Sequence, residues 1–191
     1  MLQYSKVRVF PRHILKMHSK NRLIISRYLL HINTKRISNV YIIWEIIRTF
    51  ASKYRESMEI TYKDIHEFRK EDLESLFLSV EWSSGHYPKK LVVAMQNFET
   101  VYTAWDGDQL VGLICAMDDG IMTAYVHYLL VRPEYQHLGI GRKLVEMIKE
   151  HYKEYLRIVI VAYNEELDFY ESCGFKKADD ASPMFITSLW T

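Results

Sequence analysis

Between Glu59 and Thr191 the apolar positions change period several times, and each change marks an element. Leu144, Val145, Ile148 and Tyr152 recur at helical spacing, which predicts an amphipathic helix over 139–154. Apolar or alternating runs bounded by turn residues read as strands over 58–63, 100–105, 109–117, 121–131 and 157–163. Asp106-Gly107 marks a tight hairpin turn after the second run, and Asp118-Asp119-Gly120 a turn after the third. Helices are expected over 71–80, near 89–97 and over 165–172, with closing strands around 174–178 and 184–189. The strand 121–131 ends at Arg132-Pro133, because a residue before proline avoids the helical region. Strands and helices interleave, so the class is α/β (α+β), with no internal repeat or low-complexity segment.

The most chemically suggestive stretch runs from Val126 to Arg142, a strand, a proline turn, and a loop with Gly139 and Gly141 that opens a helix. Unpaired backbone amides and a partial positive charge at a helix N-terminus suit a phosphate. Glycines without a Cβ let an anion approach the backbone. Arg142-Lys143-Leu144 follows Gly141, where a nucleotide-binding P-loop needs Lys-Ser or Lys-Thr. Leu144 also occupies the place of the third glycine of a dinucleotide fingerprint. A different phosphorylated cofactor is expected.

Downstream, Ala162-Tyr163-Asn164-Glu165-Glu166-Leu167-Asp168-Phe169-Tyr170 leads into Glu171-Ser172-Cys173-Gly174-Phe175, after the apolar strand Arg157–Val161. Together with Gln136-x-x-Gly139-x-Gly141, and Val131 ahead of Pro133, this resembles the GCN5-related N-acetyltransferase (GNAT) superfamily over roughly residues 58–191. The resemblance implies a mixed, mostly antiparallel sheet of about six to seven strands with a splayed central pair, flanked by about four helices. It further implies acetyl transfer from acetyl-CoA to a primary amine, by direct transfer in a ternary complex.

By the same resemblance the main chain of Leu129, Leu130 and Val131 pairs with the pantetheine arm. The backbone of His137, Leu138, Gly139, Ile140, Gly141 and Arg142 holds the pyrophosphate, with the Arg142 charge adding to it, and the Asn164 amide reaches the pantetheine. Tyr170 matches the family's general acid, and a phenol of pKa about 10 is protonated at neutral pH. His127 is the candidate base; strict alternation along the strand puts it on one face with Leu129 and Val131. The acceptor wall is expected from Glu81, Trp82 and Tyr87 on one side and Met184 and Phe185 on the other. Trp82, Thr103-Ala104-Trp105-Asp106-Gly107 and Met184-Phe185 add a weaker similarity to serotonin- and arylalkylamine-type members. The alternatives to a small-amine enzyme are a protein acetyltransferase acting on lysines or N-termini, and a regulatory module that binds acyl-CoA without transferring it.

Composition refines this picture at a few points. Cys115 and Cys173 lack a partner pattern, so they read as reduced thiols of a cytoplasmic protein, with neither placed as a nucleophile. The expected chemistry therefore needs no metal and no covalent enzyme intermediate. No apolar run reaches the length of a membrane span. No nucleic acid is required, and a homodimer is compatible with the reading.

Charge divides the chain sharply, for residues 1–57 carry a net +10 and residues 58–191 a net −9. The expected domains are thus a basic N-terminal extension, 1–57, and the acetyltransferase domain, 58–191. The extension has three readings: translation from too early a start codon, an organellar transit peptide, or a basic arm for nucleic acid or an anionic surface. Ile37, Val40, Tyr41, Trp44, Ile47 and Phe50 share one helical face within it.

Overall fold

A computed structural model describes residues 59–187. The expectations for residues 1–57, including the apolar face from Ile37 to Phe50, lie outside those residues.

Five strands form one sheet in sequence order: β1 (Ile60–Asp64), β2 (Thr100–Asp106), β3 (Gln109–Asp118), β4 (Thr123–Val131) and β5 (Arg157–Ile160). The first four pair antiparallel, and β5 joins β4 in parallel. Two-residue or slightly longer turns suffice for the antiparallel hairpins. The parallel pair needs a crossover, and helix α3 (Ile140–His151) supplies it.

The sheet is covered on both faces, which is why β3 is buried almost throughout and reads as an unbroken apolar run. One face packs on α3 through Ile140, Leu144, Val145 and Ile148, with Tyr152 just beyond the helix. The other face packs under α1 (Lys70–Ser79) and α2 (Pro88–Asn97), through Leu73, Leu76, Phe77, Leu91 and Met95. The helix α4 (Leu167–Ser172) follows a 3-10 turn, Asn164–Glu166.

Three expectations need correction. The sheet has five strands among the described residues, because 174–178 is irregular and so is 184–187; residues 188 and 189 lie outside them. Gly174 and Phe175 are consumed in ending α4, and the charged run Lys176-Lys177-Ala178-Asp179-Asp180 has no apolar alternation to bury. The strand expected over 157–163 stops at Ile160, where it parts from β4. The helix expected over 139–154 ends at His151, and Tyr152 turns its hydroxyl to Thr100 (2.7 Å) and Asp118 (2.9 Å).

Candidate active site

The site begins where two strands separate. β4 pairs with β5 from Thr123↔Arg157 to Val126↔Ile160, yet β4 runs on to Val131. Among the described residues, the edge of β4 from His127 to Val131 is therefore left without a strand partner on that side. Arg132 donates its amide to the Val111 carbonyl (2.9 Å), which fixes the phase of the β3–β4 ladder. Alternation then turns the main chain of Leu130 to β3, and that of Leu129 and Val131 to the open side. Only two of the three expected main-chain positions can receive an extended ligand there, since Leu130 is spent on Leu113.

A β-bulge sits at the start of this edge. Cys115 faces Tyr128 while Ala116 faces Val126, so His127 is the extra residue. A bulge breaks the period of two, and it overturns the expectation that His127 shares a face with Leu129 and Val131. Its ring stacks on Phe98 (5.6 Å) and lies 4.2 Å from the Tyr128 ring, on the α1–α2 side of the sheet. Leu129 and Val131 pack on the α3 side. His127 keeps an exposed edge, yet partial burial of the imidazole lowers its pKa below the ordinary value, which favours the neutral form.

Beyond Val131 the chain turns through Pro133–Tyr135 into the glycine loop. Gln136 donates its side-chain amide to the Val131 carbonyl (3.2 Å), tying the loop to the end of β4. His137 (φ +63°) and Gly139 (φ +89°) are both left-handed, and helical residues follow Gly139. Such reversals make consecutive amides converge on a concave nest for an anion. The amides opening α3 have no carbonyl one turn earlier in the helix, and no acidic side chain stands in its first turn. Leu138 and Ile140 bury their side chains against the α3-side core, leaving only main chain for a ligand. A Cβ on Gly141 would rest 3.4 Å from the Phe169 ring, an ordinary contact where α4 packs on α3.

The Arg142 guanidinium donates to the Ser172 carbonyl (2.9 Å) and the Ser172 hydroxyl (2.8 Å) at the end of α4.

Asn164 stands exposed just past the parting strands, at the start of a 3-10 turn, and caps neither helix: the N-cap of α4 is Glu166. Tyr170 is half-buried between the rings of Phe169 (5.1 Å) and Phe175 (5.8 Å). Burial, with the nearby Glu166 and Cys173, raises its pKa far above that of a free tyrosine, so the phenol keeps its proton. Burial likewise pushes the Cys115 thiol well up, away from thiolate chemistry.

Of the residues expected to wall the acceptor, Trp82 lies beside the parting strands. Its ring meets Tyr128 on β4 (5.3 Å) and Tyr163 just past β5 (6.5 Å), spanning the two sides of the opening. Tyr125, directly across from Val159, and His127 continue this aromatic surface along the sheet. Glu81 is exposed in a left-handed turn beside Trp82. Tyr87 instead carries the Lys90 ammonium over its ring at 5.2 Å. Met184 is 94% exposed and, like Phe185, lies in irregular chain. Trp105, singled out with Thr103, is buried under α1 and α2, and its indole donates to the Thr103 hydroxyl (2.8 Å). Tyr128, Tyr163 and Phe98 were not anticipated; the run Tyr125-Val126-His127-Tyr128 was a signal for Tyr128 alone.

Comparison with known proteins agrees with this geometry. Residues 97–177 match the acetyltransferase (GNAT) domain. A GNAT-family acetyltransferase of Streptococcus pneumoniae is 30% identical with a TM-score of 0.60, over 68% of this chain and 99% of that one. The chain belongs to the GNAT family and is an acetyltransferase. The Arabidopsis thaliana protein named GCN5-related N-acetyltransferase 3, chloroplastic, is 33% identical over 85 residues, 42% of this chain and 36% of its own length. An uncharacterized N-acetyltransferase of Pyropia yezoensis is 26% identical over 133 residues, 64% of this chain and 76% of that one. The chain thus spans about a third of the length of the Arabidopsis relative.

Among the described residues, no helix is long and apolar enough to cross a membrane, and no cluster of three His, Cys, Asp or Glu could hold a metal.

Proposed function

We propose that the protein transfers an acetyl group from acetyl-CoA to the primary amine of a small molecule, directly, in a ternary complex. The observation that carries this reading is the unpaired edge of β4 from His127 to Val131, which ends at the amides that open α3. That edge fits an extended, amide-bearing arm, and the amides around Gly139 fit the phosphates at its far end. Asn164, at the other lip of the opening, is the side-chain partner of the arm. Acetyl-CoA, when bound, supplies the activated thioester carbonyl.

The remaining steps belong to this chain. His127, held neutral by partial burial, takes a proton at its ring nitrogen from the incoming ammonium, directly or through water. Tyr170 holds a proton on its phenol oxygen, available to a departing thiolate. Trp82, Tyr128 and Tyr163 form the wall for the acceptor, whose body meets rings rather than a charged groove. This favours a small amine over a peptide, with Glu81 at the rim to meet an ammonium.

Initial rates with both substrates varied test the reading. Intersecting double-reciprocal lines, with free coenzyme A released only when an amine is present, are expected. Parallel lines would reveal an acetylated enzyme and overturn direct transfer. Faster turnover on peptides than on any small amine would favour the protein-acetyltransferase alternative.

A further inference from the structure

The helix α4 has six residues, too few to be stable alone, yet it carries Tyr170. What holds its end can be followed carbonyl by carbonyl. The last four carbonyls of a helix lack intrahelical partners. Those of Tyr170 and Glu171 accept the amides of Phe175 (3.1 Å) and Gly174 (2.9 Å), the two bonds of a Schellman turn. Gly174 is left-handed at φ +95°, as that turn requires, and the Phe175 ring packs back on Tyr170. The Schellman turn leaves the carbonyls of Ser172 and Cys173 unsatisfied.

Two cations from α3 satisfy them. Arg142 donates to both the carbonyl and the hydroxyl of Ser172, and Lys149 donates to the Cys173 carbonyl at 2.7 Å. The Ser172 hydroxyl donates onward to the Phe169 carbonyl (2.6 Å), so the Arg142 contact reaches into the turn that bears Tyr170. Arg142 and Lys149 are two helical turns apart on one stripe of α3, facing the negative end of the α4 dipole.

We propose that Arg142 and Lys149 are positioning residues that clamp α4 to α3 and so hold the Tyr170 phenol in its working orientation. The proposal rests on Tyr170 being the general acid. It also removes the Arg142 side chain from the cofactor's phosphates, which then rely on the backbone amides of the glycine loop. Because Arg142 stands in the first turn of α3, the same residue joins the phosphate loop to the acid-bearing helix.

The test compares kcat and the KM for acetyl-CoA in Arg142→Gln, Lys149→Met and Tyr170→Phe, singly and combined. Arg142→Gln and Lys149→Met should each lower kcat about tenfold, the scale of a small misplacement of a catalytic group, with KM changed less than about twofold. Arg142→Lys should recover only part of the loss, since an ammonium lacks the fork that serves both Ser172 acceptors. In the Tyr170→Phe background neither substitution should lower kcat further. A raised KM with unchanged kcat in Arg142→Gln would make it a phosphate ligand and overturn the proposal. Losses that persist in full without the phenol would overturn it as well. If Arg142→Gln does not fold, Ser172→Ala reads the same split: lower kcat at constant KM supports the clamp, and unchanged kcat refutes it. Full turnover by Tyr170→Phe alone would refute the acid assignment first, and that result is distinguishable from failure of the clamp.

Discussion

In the proposed reaction Tyr170 and His127 have opposite tasks, and their surroundings push them in opposite directions. Burial between Phe169 and Phe175 keeps the Tyr170 phenol protonated far beyond neutral pH. Partial burial keeps the His127 imidazole unprotonated to lower pH than a free histidine. Tyr170→Phe should therefore cut kcat by about 10²-fold or more while acetyl-CoA affinity holds, as loss of an acid–base group does. Calorimetric affinity and steady-state kcat on the same preparation check this; unchanged turnover would remove Tyr170 from the chemistry. For His127 the sign follows from its lowered pKa. As the base it must be neutral, so activity attributable to it is retained down through the ordinary histidine value of about 6.5 and lost below it. His127→Ala should cost most from neutral pH down to the lowered histidine pKa, less below it where the parent imidazole is itself protonated, and least as pH nears the amine's own pKa of about 10, where free amine is abundant. A variant profile parallel to the parent's would point to water as the acceptor of the proton.

At the scale of elements, hydrophobic patterning was enough to find the strands and helices around the site, because α3 buries one face of helical period and β3 reads as an apolar run between two turns. What it missed are breaks in the pattern. The bulge at His127 moves its side chain across the sheet, and nothing in the alternation of β4 announces an extra residue. The Arg142–Ser172 contact joins residues 30 apart in sequence, and its geometry exists only once α4 folds back on α3. Gly174-Phe175, read from resemblance as a signature, has a mechanical cause in the Schellman turn that ends α4. Gly174→Ala puts a Cβ into a left-handed conformation and within 3.2 Å of the Lys149 ammonium. It should destabilise the domain by about 1–2 kcal/mol, lowering Tm by roughly 4–8 °C. A melting curve followed by circular dichroism checks this, and an unchanged Tm would contradict the capping account.

For the whole molecule, the described residues hold the sheet, the glycine loop and the candidate residues, whereas the basic extension precedes them all. A chain beginning at Met58 is expected to bind acetyl-CoA and turn over as the full chain does. Lost turnover would make residues 1–57 part of the working enzyme, and intact-mass measurement of the native protein shows which methionine begins it. The central claim, that the open edge of β4 and the amides of α3 receive acetyl-CoA for delivery to an amine, is tested most directly by release of free coenzyme A thiol. With acetyl-CoA and a panel of small amines, the account predicts thiol release that depends on the amine and rises to saturation with both substrates. Absence of acetyl-CoA binding by calorimetry, together with no amine-dependent thiol release, would contradict it.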